Sequence, residues 1–141
     1  MTFGLSRQRG FTLIEALVAL LVLSIGLLGV AAMQLEALQG AHAAYQRSIA
    51  SLAAQDAQER VWAKAATDTA GALACPSSDI ASVQAQWHGE WLVYLPGFSD
   101  ASIITQPDSL VCEFQISVIW TERRFGDTTE KFSYTVRLPE E

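Results

Sequence analysis

Between Ala16 and Leu35 the chain runs through 20 residues without a single charge, and Glu15 is the last ionisable group before that run. A helix rising 1.5 Å per residue covers about 30 Å over such a length, the thickness of a bilayer's hydrocarbon core. The N-terminal part is therefore expected to enter a membrane. With 141 residues in all, what remains fits one domain of ordinary size. Half the residues are apolar and 17% are charged, which is too hydrophobic for a disordered chain. A formal net charge of -6 argues against a protein that coats nucleic acid, and no nucleic-acid partner is expected.

The charges are segregated. Residues 1–10 carry Arg7 and Arg9 and no acid, whereas the rest of the chain holds the other 7 basic and all 15 acidic groups. The next cation after Arg9 is Arg47, so the Lys/Arg bias keeps the N-terminus in the cytoplasm and sends the part beyond the apolar run across the membrane. Only two cysteines are present, Cys75 and Cys112, both in the exported part. An oxidising compartment makes a disulfide their default state. Zinc is disfavoured, because this one pair and the separate His42 and His88 have no ligand spacing. No metal and no cofactor is expected.

Three readings compete for the N-terminal segment. A cleaved secretory signal has an apolar region of about 7 to 15 residues, shorter than this one, although Val30-Ala31-Ala32 could serve as its cleavage site. A plain membrane anchor leaves Glu15 unexplained, unless the carboxylate snorkels to the headgroups, because an ionised side chain costs about 3 kcal/mol near the bilayer centre. The third reading accounts for it. The string Arg9-Gly10-Phe11-Thr12-Leu13-Ile14-Glu15, followed by the long apolar run, resembles the class III signal of the type IV pilin family.

That resemblance implies a leader of residues 1–10, removed by a prepilin peptidase that cuts between Gly10 and Phe11 and methylates Phe11. It further implies a transmembrane assembly helix over residues 11–35, with Thr12, Glu15, Gly26 and Gly29 in helix docking, and a periplasmic head over residues 36–141. The chemistry is intelligible on its own terms. Gly10 presents no side chain at the scissile bond, so a protease can approach the backbone closely. Cleavage would place an ammonium on Phe11 one helical turn from Glu15, and two such charges neutralise each other at low dielectric. Between subunits the same pairing would set the register of docked helices. Ser24, Gly26 and Gly29 allow either close helix packing or local unwinding.

Beyond the bilayer the helical pattern continues through Leu35, Leu38, His42, Tyr45, Ile49 and Leu52, spaced alternately by three and four. One helix from about Thr12 to Ala66 is expected, its alanines at 41, 43, 44, 50, 53, 54 and 57 leaving a slim surface for a sheet. His42 reads as a packed side chain, and Asp56, Glu59, Arg60 and Lys64 as solvated or locally paired charges. A connection over Asp68–Ser78 leads to a second helix, capped by Ser78 or Asp79, with Ile80, Val83, Trp87, Trp91 and Leu95 at helical intervals before Pro96-Gly97. A strand over Glu90–Leu95 is the rival. Trp87 and Trp91 are expected in the core, a sugar-stacking surface being the sharper alternative. The period then changes to two. Cys112, Phe114, Ile116, Val118 and Trp120 point one way in one strand, and Phe132, Tyr134, Val136 and Leu138 in another, joined at Phe125-Gly126-Asp127. A third strand is expected over Ala101–Thr105. Arg123 and Arg124 read as a solvated hairpin tip, contact with an acidic neighbour being the sharper alternative. The class is α+β: a long N-terminal helix packed on a C-terminal antiparallel sheet, the pilin fold.

No phosphate loop, HExxH, GxSxG or clustered carboxylate pair occurs, so no catalytic residue is assigned and an enzyme is not expected. Within the pilin family, Ile25 to Gln34, Ala44 to Ser48 and Ala53 to Arg60 resemble the PilV-type minor pilins, the type IV pilus modification proteins. This implies a low-copy subunit of a complex that primes the filament, at its tip, and serves adhesion or twitching motility. The implied partners are other minor pilins and the major pilin through the N-terminal helix, prepilin peptidase, the inner-membrane assembly platform, membrane lipid and a tip adhesin. Its place would be the inner membrane and then the pilus. A minor pseudopilin of a type II secretion system shares every N-terminal feature, and a membrane-anchored periplasmic binding domain is the alternative of another class.

Overall fold

A computed structural model of the chain describes residues 10–67, 75–76 and 80–139. The elements are α1 (Leu13–Thr67), α2 (Ile80–Tyr94), β1 (Ile103–Thr105), β2 (Glu113–Glu122) and β3 (Thr128–Arg137). The chain divides into two compact units between Ala41 and His42, the second of which is called the head unit below. Helix α1 contributes residues to both. The expected caps Ser78 and Asp79 lie outside the described residues, as does most of the Asp68–Ser78 connection.

In the head unit the packing face of α1 is made of Gln46, Ala50, Ala53, Ala54, Ala57, Val61 and Ala65, all buried. Small residues on the helix are matched by large ones opposite: Phe114, Ile116, Val118 and Trp120 from β2, Val136 and Leu138 at the end of the sheet, and Trp87 from α2. This division of volume is one way to reach close packing, because a bulky helix face would hold the sheet off. The Leu and Tyr stripe read from the sequence lies on another face. Tyr45 and Leu52 are exposed and Ile49 is only partly covered, while His42 is half-buried.

Helix α2 forms where its periodicity predicts, and the rival strand over Glu90–Leu95 does not. Its end is fixed by Gly97, whose φ of 80° suits glycine and whose missing side chain is required: a Cβ there would collide with the carbonyl oxygen of Thr121. Gly97 O instead accepts the Thr121 N–H at 2.9 Å, and the chain passes on to the Phe98–Trp120 bridge.

The sheet has the order β1-β2-β3, antiparallel throughout. Strands β2 and β3 pair without a break from Glu113↔Arg137 to Glu122↔Thr128. The inward residues of β2 are those the period-two pattern selects, Phe114 to Trp120. Two expectations need correction. The third strand begins at Ile103 rather than Ala101, because the Ser102 hydroxyl takes over the ladder: it accepts Ile119 N–H at 2.9 Å and donates to Ile119 O at 3.1 Å. In β3, Val136 is buried and Phe132 partly so, but Tyr134 remains 38% exposed. Among the described residues β3 is an edge strand, so its side chains have sheet neighbours on one side only.

Candidate processing and assembly site

The helix start supplies the local geometry. Thr12 precedes the first helical residue, its carbonyl accepting Glu15 N–H at 3.1 Å and Ala16 N–H at 3.2 Å. The Thr12 hydroxyl also lies 3.4 Å from Glu15 N. Thr12 is thus the N-cap and Glu15 the third helical residue, the Thr-x-x-Glu spacing of a capping box. The docking role read for Thr12 from sequence overlooked this local function, although the spacing was visible. Glu15 places negative charge in the first turn, where the helix dipole favours it. Gly10 and Phe11 are exposed just before the cap.

From Leu13 to Leu38 every side chain of α1 is exposed, and an 18-residue window reaches a mean hydropathy of 2.6. By length and composition this helix can cross a membrane. Gly26 and Gly29 lie in unbroken helix with open space around them, and the Ser24 hydroxyl is turned back onto Leu20 O at 2.7 Å. This keeps an otherwise apolar surface free of an unpaired hydroxyl.

The head unit holds two polar clusters. In the first, Arg60 bridges the helices: its Nε donates to Asp56 Oδ2 at 2.8 Å and its Nη2 to Glu90 Oε2 at 2.5 Å, while Trp91 Nε1 donates to the same Asp56 oxygen at 2.8 Å. The Asp56 hydrogen bond is the chief cause that pushes the Arg60 guanidinium up, against partial burial and with help from Glu90. The local pairing expected for Asp56 and Arg60 is present as an i,i+4 ion pair, and through Glu90 and Trp91 it also fastens α2 to α1. Trp87, fully buried, donates from Nε1 to Ala53 O at 2.8 Å and meets Phe98 edge-on. Both tryptophans are thereby committed to packing between elements.

The second cluster centres on Glu122, buried at the end of β2. Its Oε1 accepts the Arg124 N–H at 2.6 Å, and His42 Nε2 lies 3.1 Å from Oε2. Gln46, on the buried face of α1, accepts Trp120 Nε1–H at 3.1 Å. Phe125 packs edge-on against His42. Burial acts to raise the Glu122 carboxyl, but the Arg124 N–H, the His42 imidazole, Gln46 and the Phe125 N–H outweigh it and hold the group below its ordinary value of 4.5. A lowered folded value means that this stabilisation is complete above the unfolded value and is lost as pH falls through the folded one. On acidification below about pH 4.5, wild type should lose stability faster than Glu122→Gln; denaturant midpoints across that range test this.

Cys75 and Cys112 are joined, with Cα atoms 5.6 Å apart. Among the described residues no group of three or more His, Cys, Asp or Glu is placed to hold a metal.

Residues 5–31 match the family model for the prokaryotic N-terminal methylation motif. This supports a type IV pilin-family protein. The prepilin-type motif covers the segment before the cap and the exposed apolar part of α1, and it implies processing by prepilin peptidase and assembly partners of the pilin kind. The pilin-like families are structural rather than catalytic. No curated protein and no solved structure gives a significant match to the chain.

Proposed function

We propose that this chain is a minor pilin of a type IV pilus, incorporated into the priming or tip complex that initiates assembly and supports adhesion or twitching motility. The observation that carries the reading is the prepilin motif itself, set on a helix whose apolar surface is exposed all round and whose first turn holds Glu15. Cleavage after Gly10 leaves an ammonium on Phe11 beside the positive end of the helix dipole, an unfavourable pairing that a carboxylate relieves. In a bundle of such helices the Glu15 of one subunit meets the Phe11 amine of the next, so the charge that opposes insertion becomes the device that sets register. The 36–141 head then selects neighbours in the periplasm.

Mass analysis of the N-terminus, with and without prepilin peptidase, tests the reading. The expected product begins at methylated Phe11; a chain beginning at Met33 would instead indicate an ordinary secretory signal, and an uncut chain a simple anchor. Glu15→Gln should still be cleaved but should fail to co-purify with sister subunits. Deletion should abolish piliation and twitching. Failure of exoprotein release with pili intact would assign the chain to a type II secretion system.

A further inference from the structure

The register of the hairpin fixes which backbone groups of β3 are used. Leu138 N–H donates to Cys112 O at 2.9 Å, and in an antiparallel ladder bonded and non-bonded pairs alternate. The even-numbered residues of β3 therefore face β2. Thr129, Lys131, Ser133, Thr135 and Arg137 turn their N–H and C=O groups the other way, toward the open side of the sheet. Among the described residues no backbone group bonds them from that side, and all five side chains are exposed.

Sheets usually blunt such an edge with a proline, a bulge, a short strand or a covering element. β3 has none of the first three: ten residues pair with β2 without interruption and contain no proline. What it carries is charge of one sign on the outer face, Lys131 and Arg137, with Ser133 and Thr135 between them, Thr129 before them and no acid among the five. On the opposite face the edge presents Phe132, partly covered, and Tyr134, 38% exposed. An extended backbone satisfies the free N–H and C=O groups in the spacing a strand imposes. Basic side chains disfavour a second copy of this same edge and favour a strand with acids opposite them.

We propose that the outer edge of β3 is a docking edge that accepts an extended segment of a partner protein, its side chains alternating acidic and apolar. The acids lie beside Lys131 and Arg137, and the apolar side chains cover Phe132 and Tyr134 on the other face. The partner strand becomes the fourth of the sheet, held by main-chain bonds and selected by charge.

Amide hydrogen exchange of the full chain in detergent micelles tests this with a capped peptide of about nine residues, alternating Glu and Val, against a Lys and Val counterpart. The acidic peptide should slow exchange at Thr129, Lys131, Ser133, Thr135 and Arg137 by about tenfold at ten times its Kd, leaving the even-numbered amides of β3 unchanged. Ser133→Pro removes an outward donor without touching the ladder to β2 and should abolish binding. Lys131→Glu should weaken the acidic peptide about two- to fivefold and favour the basic one. The proposal is overturned if neither peptide slows these amides, if both bind equally, or if Lys131→Glu changes nothing. Protection that appears without peptide and grows with protein concentration overturns it too, assigning the edge to a second copy.

Discussion

Replacing Trp87 with alanine is expected to destabilise the head unit by about 3–5 kcal/mol, the range for removing a large buried aromatic side chain. Trp87 has no exposed surface, packs edge-on against Phe98 at 5.4 Å, and donates to Ala53 O at 2.8 Å across to α1. The facing residues of α1 are alanines, whose side chains cannot extend into the vacated volume, so relaxation into the cavity should be limited. Trp87→Phe separates the contributions: it keeps an aromatic ring and loses the N–H donor, for a smaller change of about 1 kcal/mol plus the volume difference. Chemical denaturation of the full chain in micelles, followed by far-ultraviolet circular dichroism, provides the measurement. An alanine variant within about 1 kcal/mol of wild type would show that the indole is not part of the packed core.

The second large effect concerns the Cys75–Cys112 bridge. Its sequence separation of 37 corresponds in the chain-entropy model to roughly 4 kcal/mol. Set against a typical total of about 5–15 kcal/mol, this is a substantial share for a domain of this size. The double variant Cys75→Ser/Cys112→Ser should therefore unfold at a much lower denaturant concentration. Loss of the bridge should also loosen the adjoining end of the sheet, where Leu138 N–H bonds Cys112 O. Faster hydrogen exchange at Leu138 than at the Thr121 amide, which Gly97 holds, would locate the loss. Equal midpoints for oxidised and reduced protein would contradict the assignment.

The elements were legible in the sequence where side-chain period and burial coincide. The alternation from Cys112 to Trp120 yields both strand and inward face, and the same alternation carried two residues further puts Glu122 inside, a signal hidden by its charge. Cys75 and Cys112 were paired by number and compartment alone. Other features depend on contacts that no local pattern contains. The alanines between positions 41 and 57 do mark the slim surface on which the sheet lies, but only those at 50, 53, 54 and 57 are buried, and that the more hydrophobic stripe ending at Leu52 stays largely outside the core is not evident from its period. The Arg60 bridge required Glu90, thirty residues away in sequence. Ser102 replaces a strand residue through its hydroxyl, which strand propensity does not register. The capping pair Thr12 and Glu15 was present as a spacing, but Glu15 had already been claimed for assembly; the helix start uses it locally as well.

The matching of a thin helix to a thick sheet also limits how this molecule can diverge. Positions 50, 53, 54 and 57 cannot grow without pushing the strands away, and Gly97 cannot acquire even a methyl group against the Thr121 carbonyl. Exposed neighbours such as Gly89, which faces open space, are under no such restriction. Substitutions should therefore accumulate around a fixed ribbon of small residues, so that two descendants could keep the same frame while presenting different outer surfaces.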